Sequence, residues 1–160
     1  MTDMKKISVS LKITIIAAAV FGAALYFWAI PFLGRYTVRM ALEFSYAYYP
    51  WLILLWITAV PCYIALVLAW RVVRSIDKDE LFKAANARRF GIISKLAFGD
   101  ALFFLTGNVV YMFLNMSHPS IALAAIFICI VGVAFGICMS ALAGFFEKAE
   151  SLQEENDLTI

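Results

Sequence analysis

Four long apolar runs, of which only the third carries charges, constrain this chain more than any other feature. They cover residues 13–33, 50–70, 92–114 and 121–146. Each has about the 20 residues that a helix needs to cross the ~30 Å hydrocarbon core of a bilayer. A membrane-spanning strand would instead alternate in polarity over about ten residues. Because the backbone in lipid must satisfy its own hydrogen bonds, the sequence predicts an all-α integral membrane protein, a four-transmembrane-helix bundle.

The placement of basic residues predicts the orientation of this bundle. All of the 13 Lys and Arg residues except Arg35 and Arg39 lie in the N-terminal lead, in the tail over residues 147–160, or between the second and third runs and at the start of the third. By the positive-inside rule, both termini and the hairpin over residues 71–91 are cytoplasmic. We expect one membrane domain over residues 1–160, because no polar stretch is long enough for a separate soluble domain.

Asp100, in the third run, is the candidate for chemistry inside the membrane. An Asp near the centre of a spanning helix costs about 2.5–3.5 kcal/mol on insertion scales, so it is expected to face the bundle and to have a partner. Asn108 lies near the same face two turns further on, and Lys95 can extend to the interface. Two interpretations stay open: a proton or ion site that acts in transport or signalling, and a polar clamp between helices.

Small residues recur at every fourth position of the last run, at Gly132, Gly136, Ser140 and Gly144. Such a row lets another helix backbone approach closely. The partner helix is either another span of the same chain or a span of a second copy. The sequence therefore predicts a packing surface and leaves a homo-oligomer open.

The hairpin between the second and third runs has the pattern of a membrane-surface helix. Asp77 followed by Glu80 has the spacing of an N-terminal capping box, which places the start of a helix near Lys78. The apolar stripe that follows either lies in the headgroups or receives a protein partner. The residues that we expect such a partner to contact are Asp77, Leu81, Phe82, Arg88 and Arg89.

The sequence offers little for catalysis. It has a single His, and we find no phosphate loop, HExxH, CxxC or Ser-His-Asp pattern. The three cysteines lie inside the runs and have no zinc or disulfide spacing. We therefore expect no enzyme, no cofactor and no metal. The basic residues sit where topology already requires them, so direct nucleic-acid binding is not expected either.

Residues 49–97 resemble the corresponding segment of a known protein family. This segment contains Tyr49-Pro50, then Thr58-Ala59-Val60-Pro61, and later Ile76-Asp77-Lys78 with Phe82 shortly after. It resembles the YoaS-like bacterial membrane proteins, a four-span family defined by a domain of unknown function. Asp100 departs from the pattern that we associate with this family.

The resemblance implies a location in the bacterial cytoplasmic membrane. It also implies a partner, because genes of the family often neighbour a small helix-turn-helix regulator of the Cro type. Our first hypothesis is a non-enzymatic membrane regulator that binds and restrains such a transcription factor. The alternatives are a small oligomeric transporter or channel that uses Asp100, and an accessory subunit of a membrane complex.

Overall fold

The computed structural model describes residues 2–40, 42–78 and 83–157, and over these ranges the chain is helical without strands. Four helices are long and apolar enough to cross a membrane, so the predicted all-α, four-span class is confirmed. In chain order the elements are α1 (Thr2–Ala24), a π-helical turn (Leu25–Ala29), α2 (Ile30–Met40), a 3₁₀ helix (Leu42–Ala47), α3 (Tyr48–Ile76), α4 (Ala84–Phe113) and α5 (Pro119–Asp157).

The helices extend well beyond the apolar runs. The first run ends at residue 33, yet α2 passes through Pro31 and continues to Met40. The π-helical turn lies directly before this proline, and the Ile30 N–H donates to the Leu25 carbonyl, five residues back. A wider turn gives room for the proline ring, which would otherwise clash with the carbonyl four residues earlier. Hydropathy thus marks where lipid begins, whereas hydrogen bonding decides where a helix ends.

The helices contact one another in chain order. α1 packs on α3, α3 on α4, and α4 lies along most of α5, while within the described residues α1 approaches neither α4 nor α5. Among the described residues the apolar core is small, and its main cluster, formed by Leu54, Phe104, Ala125 and Cys129, comes from the last three helices. The accessible surface is 11034 Å², against about 8,000 Å² for a compact soluble protein of this mass. Most side chains of this open bundle therefore face lipid.

The two ends of the bundle differ in chemistry. The terminal end holds the start of α1, the connection between α3 and α4, and the last turns of α5. At the opposite, far end, aromatic side chains fix the turn between α4 and α5. Tyr46 Oη donates to the carbonyl of Asn115 at 2.7 Å, and Trp51 Nε1 donates to the carbonyl of Met116 at 2.8 Å. Asn115 is left-handed at φ 55°, a conformation that ends α4.

Candidate functional site

The most fully buried side chains of the described residues are polar, and both lie at the terminal end. Ser8 is 0% exposed and Asn86 is 1% exposed. Burial of a polar group costs free energy unless the group is hydrogen-bonded. The packing of this end therefore depends on the partners of these two side chains.

Ser8 and Lys12 of α1 both bind the carboxylate of Asp77. Ser8 Oγ donates to Oδ1 at 2.6 Å, and Lys12 Nζ contacts Oδ2 at 2.5 Å. The hydrogen bonds from Lys12 and from Ser8 hold the pKa of Asp77 below its usual range. Asp77 is the C-terminal cap residue of α3, and α4 begins at Ala84 rather than near Lys78. Glu80, the other member of the predicted capping box, lies outside the described residues.

Asn86 connects α3 with α4. Its Nδ2 donates to Ser75 Oγ at 2.6 Å, and its Oδ1 accepts from the Arg89 guanidinium at 2.6 Å. Arg89 also donates to the carbonyl of Arg71 at 3.3 Å. Arg89, predicted to contact a partner, is thus turned inward, whereas the neighbouring Arg88 is exposed.

The start of α4 receives its cap from α5 and not from its own sequence. The Ala84 N–H donates to Glu150 Oε1 at 2.6 Å. A carboxylate at a helix N-terminus satisfies an orphan donor and interacts favourably with the helix dipole. Together these contacts join α1, α3, α4 and α5. We call the set the terminal network, and it comprises Ser8, Lys12, Ser75, Asp77, Asn86, Arg89 and Glu150.

Asp100 lies within the membrane-spanning part, in a second polar group. The Cys62 thiol of α3 is 3.9 Å from Asp100 Oδ2. The Tyr26 hydroxyl, from the π-helical turn, interacts with the side chains of Thr58 and Cys62. We call Tyr26, Thr58, Cys62 and Asp100 the intramembrane cluster. It draws on the π-helical turn, α3 and α4, and the side chain nearest to the Asp100 carboxylate in this cluster is the Cys62 thiol.

The other two intramembrane candidates lie apart from this cluster. Asn108 is buried at 3% exposure, but its Nδ2 has no hydrogen-bond partner. Eight residues along a helix correspond to about 12 Å, which is too far for a direct bond to Asp100. Lys95 is exposed, and among the described residues no ion pair involves Asp100. Asn108 Nδ2 therefore makes no hydrogen bond to Asp100.

The row of small residues on α5 meets α4 at only part of its length. A Cβ built on Gly132 lies 3.5 Å from Ala101, and one built on Gly136 lies 3.0 Å from the Phe98 ring. Ser140 is exposed, and Gly144 has nothing within 4 Å. Within the chain the row therefore packs on α4 at Gly132 and Gly136, and packing of Ser140 and Gly144 against a second copy stays a prediction. A step of four residues rotates about 40° around a helix, so three steps turn the row well away from its neighbour.

Two predicted contact residues, Leu81 and Phe82, lie outside the described residues. Five members of the terminal network were not singled out by the sequence: Ser8, Lys12, Ser75, Asn86 and Glu150. The only sequence signal for this network is the three-residue spacing between Asn86 and Arg89, which puts both on one helix face. Ser8 and Glu150 have no local signal, because their partners are distant in the chain.

Comparison with known proteins shows which family this sequence matches. The family model described as a protein of unknown function (DUF2975) matches residues 32–160. The chain is similar to the uncharacterized membrane protein YoaS of Bacillus subtilis (strain 168). The two are 25% identical over 155 residues, which cover 96% of this chain and 97% of that protein. No solved structure matches.

Proposed function

This chain belongs to the DUF2975 family of membrane proteins, and from that premise we propose that it is a non-enzymatic regulator in the bacterial cytoplasmic membrane. In this proposal both termini are cytoplasmic, and the terminal end binds and restrains a small helix-turn-helix transcription factor. The observation that carries the proposal is the terminal network. The most fully buried polar side chains of the described residues, Ser8 and Asn86, both lie at the terminal end, outside the four apolar runs.

A rigid terminal end suits a protein-binding surface, because a preorganised surface loses less entropy on binding. The hydrogen bonds of Asn86 and Asp77 hold α1, α3 and α4 in fixed positions. Exposed charges of both signs surround this scaffold, including Arg88 and Glu147. A small folded partner with complementary charges is the ligand that such a surface fits best.

The length of α5 supplies a mechanism for restraint. This helix has 39 residues, about 58 Å, whereas the hydrocarbon core is about 30 Å thick. Several turns therefore extend beyond the core, and they carry Glu147, Glu150, Glu154, Glu155 and Asp157. A transcription factor binds DNA phosphates through basic residues. Carboxylates on this acidic arm compete with DNA for the same surface.

The test is a pull-down of the full-length protein from native membranes in mild detergent. We expect Arg88→Glu and Glu147→Lys each to weaken capture of a small helix-turn-helix protein, more strongly at low salt than at high salt. Arg39→Glu and Glu43→Lys are matched controls at the far end, and both should capture normally. The proposal fails if no such protein co-purifies, or if all four variants capture it as well as the unmodified chain does.

A second candidate function is transport or conduction of a small cation or proton. The intramembrane cluster favours it, because ionisable residues inside spanning helices commonly mark such pathways. Asp100 would then be the residue that binds the ion, with Cys62 and Tyr26 beside it. Uptake into liposomes that is lost in Asp100→Asn, with the partner capture unchanged, would favour this function over the first.

A further inference from the structure

A long groove runs along the lipid-facing side of α3, beside the π-helical turn of the first span. Its volume is about 680 Å³, and its lining includes Phe27, Trp56, Val60, Tyr63 and, at one end, Arg71. The segment of α3 from Trp56 to Arg71 is about 22 Å long. All the residues that line the groove are apolar or aromatic except Arg71, which lies at the terminal end. The groove therefore has an apolar length and one positively charged end.

Hydrogen bonds to the backbone of the first helix hold the walls of this groove in place. Trp56 Nε1 donates to the Tyr26 carbonyl at 3.1 Å, and Tyr63 Oη donates to the Ala19 carbonyl at 2.9 Å. Phe27 closes one end against Trp56, with ring centroids 6.2 Å apart. Because the polar atoms of Trp56 and Tyr63 are bound to the π-helical turn and to α1 respectively, their rings are left to line an apolar surface. The groove is thus formed before any ligand enters it.

Arg71 provides a positive charge that nothing in the described part of the chain neutralises by an ion pair. The residue is exposed. Its backbone carbonyl accepts a hydrogen bond from Arg89, which brings a second guanidinium to the same end. A planar guanidinium binds phosphate oxygens through two parallel hydrogen bonds. In the predicted orientation, Arg71 lies at the cytoplasmic headgroups, where anionic lipids concentrate.

We propose that this groove binds one anionic phospholipid, with an acyl chain along Trp56 to Leu68 and the phosphate on Arg71. The dimensions favour a hydrocarbon chain over a helix of a second copy. A volume of 680 Å³ spread over about 22 Å leaves a cross-section of about 30 Å², whereas a helix about 10 Å wide needs about 80 Å². A single hydrocarbon chain fits this width. The charge at one end selects an anionic headgroup over a zwitterionic one.

The test is native mass spectrometry of the detergent-purified full-length protein with added phosphatidylglycerol or phosphatidylcholine of identical acyl chains. We expect one phosphatidylglycerol to be retained, about fivefold more tightly than phosphatidylcholine. Arg71→Gln should abolish this preference. Arg74→Gln, a nearby exposed arginine outside the groove, should keep it.

A second pair of variants tests the apolar part. Val60→Trp fills the groove and should lower retention of both lipids, whereas Ile57→Trp, at an exposed position of the same helix off the groove, should not. Both positions are exposed, so neither change disturbs the core. Equal retention of the two lipids by the unmodified chain overturns the proposal, as does equal loss in Arg71→Gln and Arg74→Gln. A dimer that Val60→Trp dissociates, with lipid retention unchanged, assigns the groove to a second copy and overturns it too.

Discussion

Replacement of Asn86 by Ala tests whether the terminal network stabilises the fold. The change removes the bond to Ser75 Oγ and the bond from Arg89, both at 2.6 Å. A neutral hydrogen bond contributes about 1 kcal/mol net, and one to a charged group about 1.5–3 kcal/mol. Arg89 is half-buried and keeps its bond to the Arg71 carbonyl, which limits the second loss. We therefore expect Asn86→Ala to lower the free energy of unfolding by about 2–3 kcal/mol.

Asn108 is the matched control for this experiment. It is an Asn of the same helix with nearly the same burial, 3% exposed against 1%, but its Nδ2 has no partner. The unpartnered Nδ2 of Asn108 is costly to bury, and its removal relieves that cost. The free energy of unfolding of Asn108→Ala should therefore stay within about 1 kcal/mol of that of the unmodified chain. Reversible unfolding in mixed micelles, followed by tryptophan fluorescence, measures both. Equal losses in the two variants would refute the argument, because burial alone and not the network would then set the cost.

Three further predictions concern packing, pH and orientation. Gly136→Leu should destabilise the fold by about 1–3 kcal/mol, since a Cβ there already lies 3.0 Å from an aromatic ring, whereas Gly144→Leu should leave thermal unfolding unchanged. Because the pKa of Asp77 is lower in the folded chain, its stabilising contribution is present above about pH 4 and is lost as the pH falls further; Asp77→Asn should remove this pH dependence of unfolding. In a background without native cysteines, Ser45→Cys should react with an impermeant thiol reagent from outside the cell, and reaction at Arg88→Cys instead would reverse the predicted orientation.

The fold class is readable from sequence because hydropathy reports directly on contact with lipid. Helix ends are less readable. The polarity of residues 34–49 suggests a loop, but α2 and the 3₁₀ helix occupy most of this stretch. The decisive feature is the π-helical turn before Pro31, and no composition rule predicts a backbone that widens to accept a proline.

The residues of the candidate site also differ in how well the sequence predicts them. Asp100 stands out in sequence, because a charge inside an apolar run is rare. Ser8 does not, because a serine in a polar lead is ordinary, and its partner Asp77 is 69 residues away. The contacts of Asp77 are hidden for the same reason. Its spacing to Glu80 suggests a local cap, whereas the described donors to its carboxylate come from α1, more than 60 residues away in the chain.

The contacts of the first helix have a consequence for local opening. Within the described residues α1 touches only α3 and the π-helical turn that continues it, so the bundle is a series of neighbours and not a closed ring. Release of α1 would expose Ser8 and break the hydrogen bond from Tyr63 to Ala19 without separating α4 from α5. Amide hydrogen exchange should therefore be graded across the molecule, fastest in the first helix and slowest at the junction of the last two. In a linear order of this kind, any displacement that begins at the N-terminus reaches α5 only after it has passed through α3 and α4.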